Sequence, residues 1–192
     1  MALEFYNHIK KHAEKSPDNP AIVDGETTVT YGQLVEQIER FAGALSEFDL
    51  KPQSKLGVLC LNQKEYLVAL MGAFLKGLPT IPYNFLLTPE DLVYITRDAG
   101  IDTIIADSAF IKPETVPFIQ PFKNKIVVGN ADLGPLGENT HHFTTFLESA
   151  DRSQAQPRHG KDVSIPDVIL YTSGTTAKPK GVMLDESQFA AN

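Results

Sequence analysis

Within the nine residues from Thr172 to Lys180 the chain places four hydroxyl side chains (Thr172, Ser173, Thr175 and Thr176), one glycine (Gly174) and two lysines (Lys178 and Lys180) around Pro179, with Gly181 next. Such a bend suits phosphate. Backbone N–H groups and hydroxyls donate to its oxygens, lysine offsets its charge, and glycine admits a close backbone approach because it has no Cβ. The β-rich run Val168 to Tyr171 leads into the bend, and apolar Val182-Met183-Leu184 leads out. It is not a Walker A loop, since Pro179 stands where that pattern needs glycine, and no GxGxxG fingerprint occurs. In isolation the same residues also read as a solvated Ser/Thr-rich turn.

The elements that must hold this bend alternate between strand and helix periods. Ala21-Ile22-Val23 and Thr27-Thr28-Val29 flank Asp24-Gly25 as a small hairpin. Leu34, Ile38, Phe41, Leu45 and Phe48 recur on one helical face, and Thr30 with Gln33 forms a capping box at its start. Residues 55–61 read as a strand covered on both faces. Lys64 to Lys76 reads as a helix stopped by Gly77, and Thr80-Ile81-Pro82 as a short strand. Thr88-Pro89-Glu90-Asp91 combines an N-cap hydroxyl, a first-turn proline and acids at the positive dipole end, opening a helix that runs to Ala99 and Gly100. Strands at Thr103–Ala106 and Ile126–Val128 enclose a short helix near Glu114–Ile119. Residues 129–140 read as a loop and 151–166 as a polar linker. The alternation predicts one α/β unit: a largely parallel sheet with flanking helices.

Composition removes several function classes. The 192 residues are 42% hydrophobic and 21% charged, an ordinary globular balance. Seventeen Lys+Arg against twenty-four Asp+Glu give a net charge of -7, which speaks against a nucleic-acid partner or an anionic membrane surface. The longest apolar run, Tyr66 to Leu75, is too short to span a bilayer, and Met1-Ala2-Leu3-Glu4 does not open a signal peptide. A cytoplasmic setting is expected. The single cysteine, Cys60, lies in an apolar run and reads as a buried, inert thiol. His8 and His12, one helical turn apart, lack acidic or thiol partners and read as a solvated helix face. His141 and His142 read as surface residues; Tyr66, Phe74 and Phe85 as core; Asp98 and Asp102 as helix-end and turn acids.

The string Tyr171-Thr-Ser-Gly-Thr-Thr-Ala-Lys-Pro-Lys-Gly-Val182 resembles the phosphate-binding signature of the adenylate-forming enzymes, which include acyl-CoA synthetases, luciferases and nonribosomal adenylation domains. Thr30-Tyr-Gly-Gln-Leu34, Leu61-Asn62, Phe74-Leu-Lys-Gly77, Ile81-Pro-Tyr-Asn84 and Leu87-Thr-Pro-Glu-Asp-Leu92 are similar to the N-terminal part of acyl-CoA synthetases, so the resemblance covers essentially the whole chain. It implies that residues 1–192 are the N-terminal portion of an AMP-binding (adenylation) domain, truncated before its C-terminal part and lid domain. It further implies activation of a carboxylic acid, fatty acids foremost, with ATP and Mg²⁺, followed by thioester formation with CoA. Matching positions assign Thr172, Ser173, Gly174, Thr175, Thr176, Lys180 and Gly181 to the ATP phosphates, with Thr175 also near Mg²⁺. Lys178 falls at a variable position and reads as surface charge. No catalytic residue is assignable, and these residues alone are expected to be inactive.

Two positions depart from the family pattern. Ala177 replaces the usual glycine, and Asp185-Glu186 replaces a Ser/Thr-His pair, although Asp185 and Gln188 can still cap a helix. Alternative readings are an amino-acid-activating adenylation domain and a non-catalytic nucleotide- or phosphate-binding module. Truncation implies an exposed sheet edge that the missing C-terminal portion would cover, and hence dimerisation or aggregation without it.

Overall fold

The computed structural model describes residues 4–155, 166–172, 178–185 and 188. Helix α1 (Glu4–Lys15) leads into an antiparallel hairpin of β1 (Pro20–Asp24) and β2 (Thr27–Thr30). Thr30 then starts α2 (Tyr31–Ala44) with the expected capping box: its hydroxyl accepts from the Gln33 amide at 3.3 Å, and the Gln33 side chain accepts from the Thr30 amide at 3.0 Å. The remaining elements are β3 (Leu56–Leu59), α3 (Lys64–Lys76), β4 (Thr80–Pro82), α4 (Pro89–Ala99), β5 (Thr103–Asp107), α5 (Val116–Ile119), β6 (Asn124–Val128), β7 (Thr140–His142), α6 (Phe143–Glu148), β8 (Val168–Thr172) and β9 (Lys180–Leu184). Both α3 and α4 end on a glycine at φ 65°, Gly77 and Gly100, a left-handed cap that glycine adopts without strain.

Strands β3 to β9 form one seven-stranded sheet in the order β7-β6-β5-β3-β4-β8-β9. All its neighbours run parallel except β8 and β9. Period-two alternation sends consecutive side chains to opposite faces. Leu56, Val58, Ile105, Ile126, Val128 and Val168 pack in one cluster with residues of α1, α2, α3 and α6. Leu59, Ile104, Ala106, Val127 and Ile169 pack in the other with residues of α4 and α5. The sheet is therefore sandwiched between helices, as a parallel sheet requires. Helices α2 and α3 cross closely because Gly72 has no side chain: a Cβ there would lie 2.7 Å from Phe41 Cδ1.

Three expectations need correction. The stretch expected as a loop up to residue 140 runs into a seventh strand, β7, paired to β6 through Lys125↔Thr140. Three residues are too few for periodicity to register. The polar linker is packed at its start: Arg152 donates to Glu39, and the Asp151 carbonyl lies against Gly43. Phe85 is 47% exposed, stacked on Phe110 rather than buried. Tyr66 and Phe74 do pack on the core, and Cys60 is buried. His8, His12 and His141 are exposed; His142 is half-buried. Among the described residues no helix is long and apolar enough to cross a membrane.

Candidate functional site

The bend singled out by the sequence is carried by the β8–β9 hairpin. β8 joins the sheet beside β4 at Thr80↔Val168, where the Thr80 amide donates to the Asp167 carbonyl at 2.9 Å. Because β8 runs parallel to β4, Thr172 stands at the carboxyl ends of the parallel strands, the end where open α/β sheets receive ligands. β9 returns antiparallel with an unbroken register: Val168↔Leu184, Ile169↔Met183, Leu170↔Val182, Tyr171↔Gly181 and Thr172↔Lys180. Thr172 and Lys180 thus face one another as the last pair before the turn, both exposed. Ser173, Gly174, Thr175 and Thr176, like Ala177, lie outside the described residues.

Gly181 has a visible packing reason. It sits opposite Tyr171, and a Cβ on it would lie 3.1 Å from Tyr171 Cζ and 2.9 Å from Ile169 Cγ2. The missing side chain lets the tyrosine ring lie across the neighbouring strand. From there the Tyr171 hydroxyl donates to Asp98 Oδ2 at 2.6 Å. Burial, then the hydrogen bond to Asp98 and its charge, push the Tyr171 phenol well above its ordinary pKa, so it remains a protonated donor.

These anchors were missed in the sequence. Asp98 does stand in the last turn of α4, as expected, but there it faces the negative end of the helix dipole. An acid so placed is a weak sign that a donor comes from elsewhere, and Tyr171 supplies one. Lys178, expected as plain surface charge, is exposed but holds its ammonium 5.1 Å from the centre of the Tyr94 ring. Asp102 is a turn acid, accepting from the Ser54 hydroxyl at 2.5 Å and from Thr103 at 3.1 Å. The reciprocal capping pair expected after the hairpin is present: the Gln188 amide donates to Asp185 Oδ1 at 3.3 Å, and the Asp185 amide to Gln188 Oε1 at 2.9 Å.

Two surface clefts, of about 330 and 400 Å³, flank the β1–β2 hairpin, and neither is lined by β8 or β9. Among the described residues no group of three or more His, Cys, Asp or Glu side chains is arranged to hold a metal. On its geometry alone the hairpin places Thr172 and Lys180 at the ligand-receiving end of a parallel sheet.

The profile of the AMP-binding enzyme family matches residues 9–192. The chain is 27% identical over 187 residues to a medium/long-chain-fatty-acid–CoA/3-oxocholest-4-en-26-oate–CoA ligase of Mycolicibacterium smegmatis, covering 95% of this chain and 33% of the ligase. It is 29% identical over 179 residues to surfactin synthase subunit 1 of Bacillus subtilis, covering 93% of this chain and 4% of that subunit. The crystal structure of the anthranilate CoA ligase AuaEII in complex with anthranoyl-AMP superposes with a TM-score of 0.76 at 19% identity, over 91% of this chain and 33% of that one. The chain therefore spans about a third of the length of the two ligases.

Proposed function

The chain belongs to the AMP-binding enzyme family, and on that premise we propose that residues 1–192 form the N-terminal portion of the adenylation domain of an acyl-CoA synthetase. In this reading Thr172, Ser173, Gly174, Thr175, Thr176, Lys180 and Gly181 grip the ATP phosphates. The observation that carries it is the hairpin itself. It holds Thr172 and Lys180 opposite each other at the carboxyl ends of the parallel strands, with the hydroxyl-rich residues between them.

The chemistry explains why such a turn is wanted. A substrate carboxylate oxygen attacks the α-phosphorus of ATP, the bond to the β-phosphate oxygen breaks, and pyrophosphate leaves with the bonding pair. Charge grows on the departing group, so donors and cations belong around the β- and γ-phosphates. Thr175 is proposed to lie near the accompanying Mg²⁺, to which a hydroxyl is a suitable hard oxygen donor. A thiol, that of CoA in this reading, then attacks the adenylate carbonyl and AMP departs. The substrate is read as a carboxylic acid, with fatty acids first, and the setting as cytoplasmic. The 192 residues alone are proposed to be inactive, as none of them is assigned a catalytic role.

ATP–pyrophosphate exchange by the whole gene product, with a panel of carboxylic acids, tests this reading. Acid-dependent exchange together with CoA consumption is expected, and a product that ignores ATP overturns it. One observation favours a second reading, an amino-acid-activating adenylation domain: the likeness to the synthase subunit, at 29% identity, is as strong as that to the ligase, at 27%. Exchange stimulated by an amino acid, without CoA consumption, would establish it.

A further inference from the structure

Helix α4 touches the hairpin on both sides of its turn. Tyr94 and Asp98 are four residues apart, one helical turn, and so share a face of α4. Asp98 accepts the Tyr171 hydroxyl at 2.6 Å, on the strand entering the turn. Tyr94 lies beneath the Lys178 ammonium at 5.1 Å, on the chain leaving it. Ile169 joins the same apolar cluster as Leu92 and Ile95 of α4, and Tyr94 and Tyr171 pack against it, so the polar contact sits on an apolar seat. Gly181 leaves the space that the Tyr171 ring occupies on its way to α4, since a Cβ there would lie 3.1 Å from Tyr171 Cζ. Two different kinds of contact, made by one helix face, thus hold the two stems of one turn.

We propose that Tyr94 and Asp98 are positioning residues: they clamp Tyr171 and Lys178 and so fix the two stems from which the turn springs. The proposal rests on the phosphate reading of that turn. A donor set fixed before the ligand arrives binds more tightly, because ordering it costs nothing at the moment of binding. The clamp also gives Lys178 a role that its position in the motif does not suggest. Its cation is held above a ring beside the turn and adds to the local positive field.

Two measurements on the 192-residue chain separate the clamp from the phosphate reading. The first is amide hydrogen exchange in the ligand-free protein at Tyr171, Thr172, Lys178 and Lys180. The second is the affinity for inorganic pyrophosphate by titration calorimetry. Asp98→Ala and Tyr94→Leu are expected to speed stem exchange. They should also weaken pyrophosphate binding, roughly three- to tenfold for the aspartate and two- to fivefold for the tyrosine. Asp98→Asn keeps an acceptor and Tyr94→Phe keeps a ring, so both should behave nearly as wild type; a helix that merely needed packing would not make that distinction. Should Asp98→Ala fail to fold, Tyr171→Phe removes only the donating hydroxyl and tests the same bond.

Unchanged stem exchange in Asp98→Ala and Tyr94→Leu overturns the clamp. So does unchanged pyrophosphate affinity in variants whose stems have loosened, or an alanine and an asparagine at position 98 that behave alike. A wild-type chain that ignores pyrophosphate refutes the phosphate reading, and the clamp then stands or falls on the exchange data.

Discussion

Gly181→Ala probes the packing beneath the turn directly. The new methyl would lie 2.9 Å from Ile169 Cγ2, 3.1 Å from Tyr171 Cζ and 3.3 Å from Tyr171 Cε2. Carbon–carbon contacts settle at about 3.5–4.0 Å, so the tyrosine ring must retreat by roughly half an ångström. It is not free to do so, because its hydroxyl is tied to Asp98 at 2.6 Å. Overpacking costs about 1–3 kcal/mol, and alanine recovers about 0.4–1 kcal/mol by narrowing the unfolded ensemble. The ring is half-buried yet tethered, so an overpacking cost of about 1.5–2 kcal/mol is expected. A net loss of about 1 kcal/mol follows, or a fall in the urea midpoint of roughly 0.3–0.5 M at an m-value of about 2–3 kcal/mol/M. Introduced into Tyr171→Phe, where the ring is untethered, the same change should cost about 0.5 kcal/mol less. Urea unfolding followed by circular dichroism reads both numbers. A midpoint that stays or rises on Gly181→Ala, or an equal loss in both backgrounds, would refute the argument.

Gly72→Ala should be more damaging, about 2–3 kcal/mol by the same unfolding assay, because its Cβ meets buried Phe41 at 2.7 Å and the Ile38 carbonyl at 3.1 Å. Burial works against the Glu39 carboxylate, yet hydrogen bonds from Arg152 and Tyr6 hold its pKa below the ordinary value. Its folded pKa being the lower, its stabilisation is complete above the unfolded value of about 4.3 and is lost as pH falls through the folded one; Glu39→Gln should flatten that acid limb in a pH–stability series. Burial and the nearby Asp107 charge push the Cys60 thiol up, so native protein should resist a thiol reagent that labels it readily in urea. In the whole gene product Ala177→Gly should keep or improve ATP affinity, and a clear loss in a binding titration would count against the assigned role of the bend.

Local periodicity made most of the fold legible. The capped start of α2, the glycine stops of α3 and α4, and the hairpin β1–β2 are each written within a few adjacent residues. What lay beyond reach depends on pairing between distant segments. Nothing local to Val168 says that it docks beside Thr80, or that Tyr171 will meet an aspartate 73 residues earlier. Strand β7 was too short to show a period, and Phe85 lies in a loop where hydrophobicity does not decide burial. For the site, residue types announced the phosphate-like turn and its flanking strands. The supports beneath it, Gly181 under Tyr171 and Tyr94 under Lys178, emerge only once the register is known.

The reversal of direction between β8 and β9 fixes a route for the polypeptide. Thr172 and Lys180 stand at the turn, whereas Leu184 pairs with Val168 at the far end of the hairpin. Four residues of strand carry the backbone about 13 Å away. The exit from β9 therefore opens at the opposite rim of the sheet, past side chains of Val182 and Met183 that are 45% and 67% exposed. Any later residue of the same polypeptide that reaches the turn end of the hairpin must travel back along the length of β9, by its open edge or past one of those two side chains, which point to opposite faces.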